Sequence, residues 1–383
     1  MKAYSSAISG AVLAASVLMS AAAHADALPT PSLTGPLAAN PNPISFDSGF
    51  GNIYVGGVIS GLGMFQTNHT DTSSSDHESQ FDFSNGQVFI QKTDGLVQFY
   101  IQAGEYSLPT LGVPYTRAST NTNATFGAVP VAYLKIAPAD NFSIEGGKLP
   151  TLVGAEYTFT FQNLDIERGL LWNLEPAISR GVQANYTAGP LAFSVALTDG
   201  AYTNRYNQLS GSVAWTISSS DTVSLIGSGD LGKYETFFFP VGSEDVYNVI
   251  WTHTDGPWTF TPYAQYTHVP SRGFVPSSDT VGGALLVNYA FDPNWSLGGR
   301  VEYVKETTGY DPYLYGTNSS ALTFTVTPTY QYKLLFARAD LSYVSASHLN
   351  FLVSSQGGPG PGFGTSGTDS GQFRALLEVG ILF

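Results

Sequence analysis

The sequence has no cysteine, which excludes structural disulfides, thiol catalysis and thiolate metal sites. Charged residues are scarce as well, at 11% of the chain, where soluble domains usually carry about 25%. After residue 25 no run approaches the 18 or more consecutive apolar residues that a membrane-spanning helix needs. A mature chain within a membrane would therefore have to be a closed β-barrel, the other structure that pairs every backbone group inside a bilayer.

The charge that is present is mostly negative. The 29 acids outnumber the 15 bases and give a formal net charge of −14. A strongly acidic chain is a poor match for nucleic acid, so no nucleic-acid partner is expected. Beyond His24, which lies in the first 25 residues, the histidines at positions 69, 77, 253, 268 and 348 form no ligand cluster in the sequence, so neither a metal nor a cofactor is predicted.

Three successive segments are predicted. Residues 1–25 are typical of a cleaved signal peptide, since a lysine precedes a short apolar run that ends in Ala23-His24-Ala25. Residues 26–48 are proline-rich and lack periodicity, which predicts a flexible or extended periplasmic segment. Residues 49–383 alternate between strand-like and turn-like stretches, and we expect them to form one β-barrel in the cell outer membrane.

The barrel region contains about sixteen strand candidates, each close to the 9 to 11 residues that cross a bilayer when tilted. Every second connection is a tight joint rich in Gly, Asn, Asp or Pro, such as "KTDG", "AGP" and "DPN". The other connections are longer. Short turns on one rim and long loops on the other predict an all-β, transmembrane antiparallel barrel with periplasmic turns and extracellular loops.

Alternation within the strands assigns two faces. In the last strand, Leu377 and Val379 share an apolar face, while Arg374 and Glu378 share the other. In "ALTFTVTPTY" the threonines Thr323 to Thr329 alternate with apolar residues in the same way. We expect the apolar faces to contact lipid and the polar faces to line a water-filled lumen, because a charge facing mid-bilayer lipid costs roughly 2–4 kcal/mol.

The longest predicted loop, residues 149–179, is expected to fold into the lumen and narrow it, since a structureless loop of this size is improbable. The spacing of Ile166, Leu170 and Leu171 after Asp165 predicts a helical turn within it. Loop acids, with Arg168 and Arg180 partly neutralising them, are predicted to face inward-pointing wall bases across a pore constriction. The predicted acids are Glu156, Asp165, Glu167 and Glu175, and the predicted wall bases are Lys135, Arg300, Arg338 and Arg374.

Two interpretations of these loop and wall residues stay open. The charges either set up a transverse field that selects solutes, or pair as salt bridges that hold the loop to the wall. Four aromatic residues of the loop either stack on sugar rings or pack the loop against the wall. They are Tyr157, Phe159, Phe161 and Trp172.

The same loop carries a family resemblance. Gly147 to Leu152 with Gly154 and Glu156, then Arg168-Gly169-Leu170-Leu171 and Pro176, resemble the OmpL-like β-barrel porin family. The chain departs from the family pattern at Ile166-Glu167, just before the arginine. The resemblance implies an outer-membrane barrel with a pore, and it implies no substrate.

From the barrel and this resemblance we expect an outer-membrane porin, not an enzyme, that admits small hydrophilic solutes or ions by passive diffusion. The acidic charge favours a mild cation preference. The alternatives are a plugged structural or adhesive barrel, a barrel hydrolase using His253 and a nearby serine, or a soluble β-sandwich. No nucleophile signature supports a hydrolase.

The expected partners follow from an outer-membrane location. They are membrane lipid and lipopolysaccharide around the barrel, the barrel-assembly machinery at the terminal Phe383, and two further copies of the chain in a homotrimer. The acidic stretch "TDTSSSDHESQFD" is predicted to be a solvated surface loop, with divalent-cation binding between lipopolysaccharides as the alternative.

Overall fold

A computed structural model describes residues 35–70, 76–200, 202–232, 244–271, 277–308, 315–349 and 361–383. Seventeen strands in this part of the chain form one antiparallel sheet. Their bounds are β1 Ile44–Asp47, β2 Asn52–Gln66, β3 Ser79–Lys92, β4 Val97–Tyr106, β5 Val131–Ala139, β6 Phe142–Pro150, β7 Ile178–Ala188, β8 Leu191–Thr198, β9 Gln208–Thr216, β10 Asp221–Asp230, β11 Asp245–Asp255, β12 Trp258–Val269, β13 Ser278–Ala290, β14 Trp295–Thr308, β15 Ser320–Tyr332, β16 Leu335–Ser347 and β17 Gly371–Leu382.

The sheet closes on itself as a ring of sixteen strands, β2 to β17, which confirms the predicted architecture. Each strand pairs with its sequence neighbour, and β17 pairs with β2 in the register Arg374 to Gln66 and Leu382 to Val58. The terminal Phe383 continues this ladder, since its N–H donates to the Gly57 carbonyl at 2.9 Å and its carbonyl accepts from the Gly57 N–H at 2.8 Å. Closure leaves no edge in the ring.

The two faces of the strands are as the alternation predicts. Leu377 and Val379 on β17 are exposed on the outside, whereas Arg374 and Glu378 are buried inside. The threonines of β15 from Thr323 to Thr329 also point inward and are buried. The barrel therefore presents an apolar exterior, and the charged strand residues of β14 to β17 lie in the interior, except for Lys305, which is exposed near the end of β14.

Connections at the two rims differ in length. One rim, the turn rim, has connections of two to four residues, such as 140–141 and 93–96. The other, the loop rim, carries the long connections, including residues 107–130 with the short helix α1 (Ala118–Ala124) and residues 151–177. No helix in the described ranges is long and apolar enough to cross a bilayer.

The proline-rich segment is more ordered in its described part than the sequence suggests. Strand β1 pairs with the start of β2, placing Ile44 opposite Val55. Before it, Leu37 is buried in an apolar cluster inside the barrel, and the Ala38 N–H donates to Gln331 Oε1 at 2.7 Å. Of the two predicted alternatives, flexible or extended, Ile44–Asp47 is extended, and Leu37 is held inside the barrel because its apolar side chain finds a buried contact. The predicted signal peptide, residues 1–25, lies outside the described residues.

Candidate functional site

The connection between β6 and β7, residues 151–177, folds into the barrel interior; we call it the lumen loop. Its apolar side chains Phe161, Ile166 and Leu171 are fully buried. The flanking strands remain paired up to Pro150 and Ile178, so the loop enters and leaves the interior at one place on the wall. Inward folding of the loop agrees with the prediction for residues 149–179.

The lumen loop is attached to the wall formed by β14 to β17, which we call the clamp wall. Arg300 of β14 donates to Glu156 Oε1 at 2.5 Å and to the Glu167 carbonyl at 2.9 Å. Its Nη1 also lies 3.7 Å from the Asp165 carboxylate. All four side chains are buried, so these contacts are charge-assisted interactions in a medium that screens them weakly.

A second arginine joins two loops at once. Arg374 of β17 donates to Glu167 Oε1 at 2.9 Å, and the second oxygen of Glu167 accepts from Ser342 Oγ at 2.7 Å. The same guanidinium donates to the carbonyls of Thr110 and Val113 in residues 107–130, at 2.8 and 2.6 Å. One wall residue thereby fixes the positions of two loops relative to each other.

Carboxylates of the clamp wall bind the loop backbone. Glu302 accepts from the N–H groups of Leu170 and Leu171, each at 2.7 Å. Asp340 accepts from the N–H groups of Ile166 and Glu167 at 2.9 and 3.1 Å. Buried N–H groups without partners are costly, so these contacts fix the loop conformation as well as its position.

Arg338 binds the opposite kind of backbone group. Its guanidinium donates to the carbonyls of Thr160, Asn163 and Leu164 at 2.8, 3.0 and 2.6 Å. The carbonyls of this stretch therefore bond to the wall, and helical structure in the loop is limited to two 3-10 turns, Thr160–Gln162 and Leu171–Leu174. The helical turn predicted after Asp165 is wrong in its position for this reason.

Aromatic residues pack the other side of the lumen loop. Phe161 lies against Phe89 of β3 with ring centroids 5.4 Å apart, and Phe159 meets Tyr106 of β4 edge to face at 5.1 Å. Both phenylalanines are almost completely buried. A sugar-stacking role is therefore wrong for Phe159 and Phe161, because no ring face is available to a solute.

The two remaining loop aromatics are half-buried. The Arg168 guanidinium lies 5.0 Å from the ring centroid of Trp172, and the backbone of Tyr157 forms two hydrogen bonds with the side chain of Asn163. Arg168 does not neutralise the loop acids directly. It donates to the carbonyls of Thr158 and Pro109, each at 2.6 Å.

Two predicted bases lie away from the clamp wall. Lys135 of β5 points inward but pairs with Glu145 of the neighbouring strand at 3.6 Å. Arg180 of β7 shares a strand face with the exposed Val182 and pairs with Asp199 at 2.6 Å. A role for Arg180 in neutralising the loop acids is therefore wrong, because strand parity turns it away from the lumen.

Glu175 differs from the other loop acids. It is buried, and neither carboxylate oxygen has a hydrogen-bond partner within the described ranges. Burial raises the pKa of Glu175 well above its usual value, and the nearby carboxylates Glu156 and Glu302 raise it further. The backbone of Gly154, at φ +84°, lies next to the Glu175 carboxylate, so a Cβ at this position would collide with it.

The buried groups in contact with the lumen loop carry an excess of acid. Four bases and seven acids meet there, which leaves three more acids than bases. The bases are Arg168, Arg300, Arg338 and Arg374, and the acids are Glu156, Asp165, Glu167, Glu175, Glu302, Asp340 and Glu378. Direct ion pairing replaces the predicted field between separated loop acids and wall bases, as the salt-bridge interpretation anticipated.

The wall formed by β7 to β10 is chemically different, and we call it the hydroxyl wall. Along most of the length of these four strands, the inward side chains are small or uncharged. They include Gln183, Asn185, Ser194, Ala196, Thr198, Gln208, Ser210, Ser212, Ala214, Ser224 and Ser228. Several bond to one another, as Ser210 does to Ser228 at 2.8 Å and Ser194 does to Asn185 at 2.8 Å. Two inward residues of β10 differ: Ile226 joins an apolar cluster with Leu171 of the lumen loop, and Asp230 lies at the end of the strand.

Sequence reasoning missed the polar residues that complete the clamp wall. Thr160 donates to Glu378 at 2.7 Å, Thr327 donates to Asp165 at 2.7 Å, and Arg300 donates to Thr325 at 3.2 Å. Inward parity identifies the wall threonines as facing the lumen. No local signal identifies the loop residue that each of them contacts.

The acidic surface stretch is organised by its neighbours, in contrast to the predicted solvated loop. Asp76 is buried and accepts hydrogen bonds from Gln66, from Thr70 and from the Tyr115 N–H at 3.0 Å. Asp82 accepts from the Tyr115 hydroxyl at 2.9 Å. Asp71 lies outside the described residues. In the ranges that the structure covers, no group of three His, Asp or Glu side chains is placed to hold a metal ion.

His253 lies on the barrel exterior near the turn rim. Its Nδ1 is 2.8 Å from Asp221 Oδ1, and the same oxygen accepts from the Trp251 indole N–H at 3.0 Å. Ser218 donates to the other oxygen of Asp221. Among the described residues no serine contacts the His253 ring, so this arrangement lacks the nucleophile–base contact that a hydrolase requires.

Comparisons with known proteins agree with the barrel. A family model described as putative beta-barrel porin-2, OmpL-like, matches residues 52–383. No curated protein matches the sequence.

Solved structures share the fold at low sequence identity. An anion-selective porin from Comamonas acidovorans aligns with a TM-score of 0.57 and a sequence identity of 10%, over 86% of this chain and 99% of its own. The outer membrane channel DcaP of Acinetobacter baumannii aligns with a TM-score of 0.57 and a sequence identity of 12%, over 88% of this chain and 99% of its own. Salmonella typhi OmpF, in complex with daunomycin, aligns with a TM-score of 0.56 and a sequence identity of 13%, over 89% of this chain and 100% of its own.

Proposed function

We propose, since this chain belongs to the putative beta-barrel porin-2, OmpL-like family of outer-membrane proteins, that it is a channel for passive diffusion of small hydrophilic solutes or ions. The observation that carries this proposal is that the lumen loop is attached to part of the ring, from β11 round to β4, and forms no hydrogen bond with β8 or β9 in the described residues. Arg300, Arg338 and Arg374 hold the loop against the clamp wall, while the hydroxyl wall keeps small inward side chains. A loop held on one side narrows a lumen, and it leaves space beside the other wall.

A mild cation preference follows from the charge balance. With Glu175 protonated, two acids remain in excess of the four bases around the lumen loop; their buried charges are weakly screened and favour cations in the adjacent water. A neighbour with the same fold is described as anion-selective, so the fold alone does not set the sign. The buried carboxylates carry that part of the proposal.

Conductance in planar bilayers tests both statements. The purified full-length protein, folded in detergent, is expected to give stepwise conductance, and a salt gradient is expected to give a reversal potential that favours cations. Heat-denatured protein is the control. An anion-favouring potential contradicts the cation preference alone, whereas absence of steps contradicts the channel.

A plugged structural or adhesive barrel is the second candidate, and one observation favours it. Leu37 enters the apolar cluster that includes Phe159 and Phe161 of the lumen loop, so the N-terminal segment adds a second element to the interior. Deleting residues 26–40 of the mature protein separates the two functions. A channel conducts before and after the deletion, and a plugged barrel conducts only after it.

Partners follow from the exterior. Exposed apolar residues such as Leu225, Val249 and Val326 present a surface for membrane lipid and lipopolysaccharide, and a homotrimer would cover part of it. Phe383 closes the ring beside Gly57, where the assembly machinery would act on the last strand. An N-terminal signal peptide would direct export before this step.

A further inference from the structure

The described lumen is chemically divided. On the clamp wall, inward residues are sealed by the lumen loop: Thr323, Asp340 and Glu378 have no solvent-exposed surface. On the hydroxyl wall, inward residues keep some, with Ser194 at 9% and Ser210 at 7% exposed, and Ser212 is half-buried. Water therefore reaches the hydroxyl wall at Ser212, whereas the clamp-wall residues beneath the lumen loop have no exposed surface; nearer the strand ends, Ser296 and Ser320 are 9% and 8% exposed.

The contacts of the lumen loop point the same way. Its hydrogen bonds go to the clamp wall and, farther round, to Asn248 of β11 and Gln265 of β12. Its aromatic side packs on β3 and β4. No hydrogen bond within the described ranges joins the lumen loop to β8 or β9, the centre of the hydroxyl wall.

Side-chain size explains where space remains. The clamp wall offers three arginines, which fill the gap between strand and loop. The hydroxyl wall offers mainly serine and alanine, and in one register row Ser212 lies between Ser194 and the larger Ile226. A ring of fixed strand number has a roughly fixed bore, so small side chains leave volume beside them.

We infer that the solute path runs along the hydroxyl wall, and that its lining favours small uncharged, hydroxyl-bearing solutes. This inference rests on the proposed channel function and adds the location of the path and the class of solute. Serine hydroxyls and the amides of Gln183 and Asn185 both donate and accept hydrogen bonds, as a polyol requires. A solute that enters a narrow passage loses hydrogen bonds to water. Hydroxyl and amide groups replace those bonds more completely for a neutral solute than they replace the hydration of an ion.

Charge enters this path only at its edge. Lys135 and Glu145 point inward beside β7 and pair with each other, and Asn185 donates to Glu145 at 3.2 Å. Their charges cancel in a pair, so they add little field along the hydroxyl wall. Ions are therefore expected to pass with the mild preference set by the buried acids, and neutral polyols to pass faster than organic ions of the same size.

The absence of cysteine from the sequence makes a direct test available. Single variants Ser212→Cys and Ser194→Cys place the only thiol on the hydroxyl wall, and Ser342→Cys places it on the clamp wall as the matched control. Ser342 is 2% exposed and bonds to Glu167, so its thiol should be protected. A neutral methanethiosulfonate reagent added to folded barrels is expected to label the first two at least about tenfold faster.

Folding is checked by heat-modifiable mobility before labelling. Because Ser342→Cys removes a hydrogen bond, Val344→Cys serves as a second clamp-wall position: Val344 is inward and 1% exposed on the same strand, and its apolar side chain has no hydrogen bond to lose. Labelling at Ser212→Cys should lower the conductance stepwise. Labelling that is equally fast on both walls, or faster on the clamp wall, overturns the location of the path.

Liposome swelling tests the solute class. A neutral polyol is expected to enter faster than a carboxylate or an amine of equal size, and slower entry of the polyol than of both overturns the assignment. The two levels of inference fail separately. Slow labelling of Ser212→Cys in a conducting barrel contradicts the path alone, whereas fast labelling of a barrel that neither conducts nor swells contradicts the channel itself.

Discussion

The clamp wall and the hydroxyl wall are built from the same strand geometry and differ in what their inward side chains contact. On the clamp wall Arg300, Arg338 and Arg374 are buried, and each donates hydrogen bonds to groups of the loops. On the hydroxyl wall Ser194 and Ser210 bond to neighbouring wall residues and retain contact with water. The contrast teaches that the buried charges in this lumen hold the loop, while β8 and β9 of the hydroxyl wall form no hydrogen bond with it in the described residues.

Removing a clamp arginine should break the contrast most strongly. Arg300→Ala leaves the buried carboxylates of Glu156 and Asp165 without their counter-charge, and breaking a buried pair in this way costs about 3–5 kcal/mol. The free energy of unfolding should fall by that order, and single-channel conductance should rise as the loop loosens. Denaturant unfolding and bilayer recording measure the two effects.

The control for that change is Lys333→Ala, at the turn between β15 and β16, where the ammonium lies only over the Tyr332 ring at 5.4 Å. A change of at most about 0.5 kcal/mol is expected there. If both variants lost the same stability, the clamp wall would not be the element that holds the loop.

Much of this division follows from the sequence, because a period of two fixes which strand residues face inward. Arg300 and Arg374 were assignable to the lumen by parity alone, and both face it. Arg180 shows the limit of that reasoning. It sits at the start of β7, where the loop ends, and its side can be assigned only once the first strand residue is known.

The contacts of the lumen loop were not predictable in the same way. Arg338 binds backbone carbonyls from Thr160 to Leu164, more than 170 residues away in the chain, and backbone groups leave no trace in residue type. The spacing around Ile166 predicts a helical turn that does not form there for the same reason, because the N–H groups of Ile166 and Glu167 donate to Asp340 of the wall. Nonlocal bonds overrode a local pattern.

Raising the pH should weaken the packing of the lumen loop and leave the hydroxyl wall unchanged. The pKa of Glu175 is raised by burial and then by nearby carboxylates, so the packed loop holds this proton more tightly than a released loop would. Packing is therefore fully favourable below the ordinary glutamate pKa and weakens as pH rises toward the raised value. The wild type should lose stability from pH 5 to pH 9, and Glu175→Gln should lose less.

The matched control for this pH series is Glu78→Gln, which removes one acid from an exposed position near the start of β3. Its unfolding curve should follow the wild type across the series. If the free energy of unfolding changed equally for Glu175→Gln and for the wild type from pH 5 to pH 9, the buried carboxyl would not influence packing of the loop.

The smallest expected effect compares one hydroxyl on each wall. Thr325→Val on the clamp wall removes the acceptor for Arg300 Nη2 and leaves a buried donor unpaired, at a cost of about 1–2 kcal/mol. Ser212→Ala on the hydroxyl wall should change the free energy of unfolding by no more than about 0.5 kcal/mol, because water can reach this position. Denaturant unfolding of both variants in the same detergent measures the difference. Equal losses would mean that the two walls are equally dry, and the space assigned to solute beside β9 would then be packed with protein.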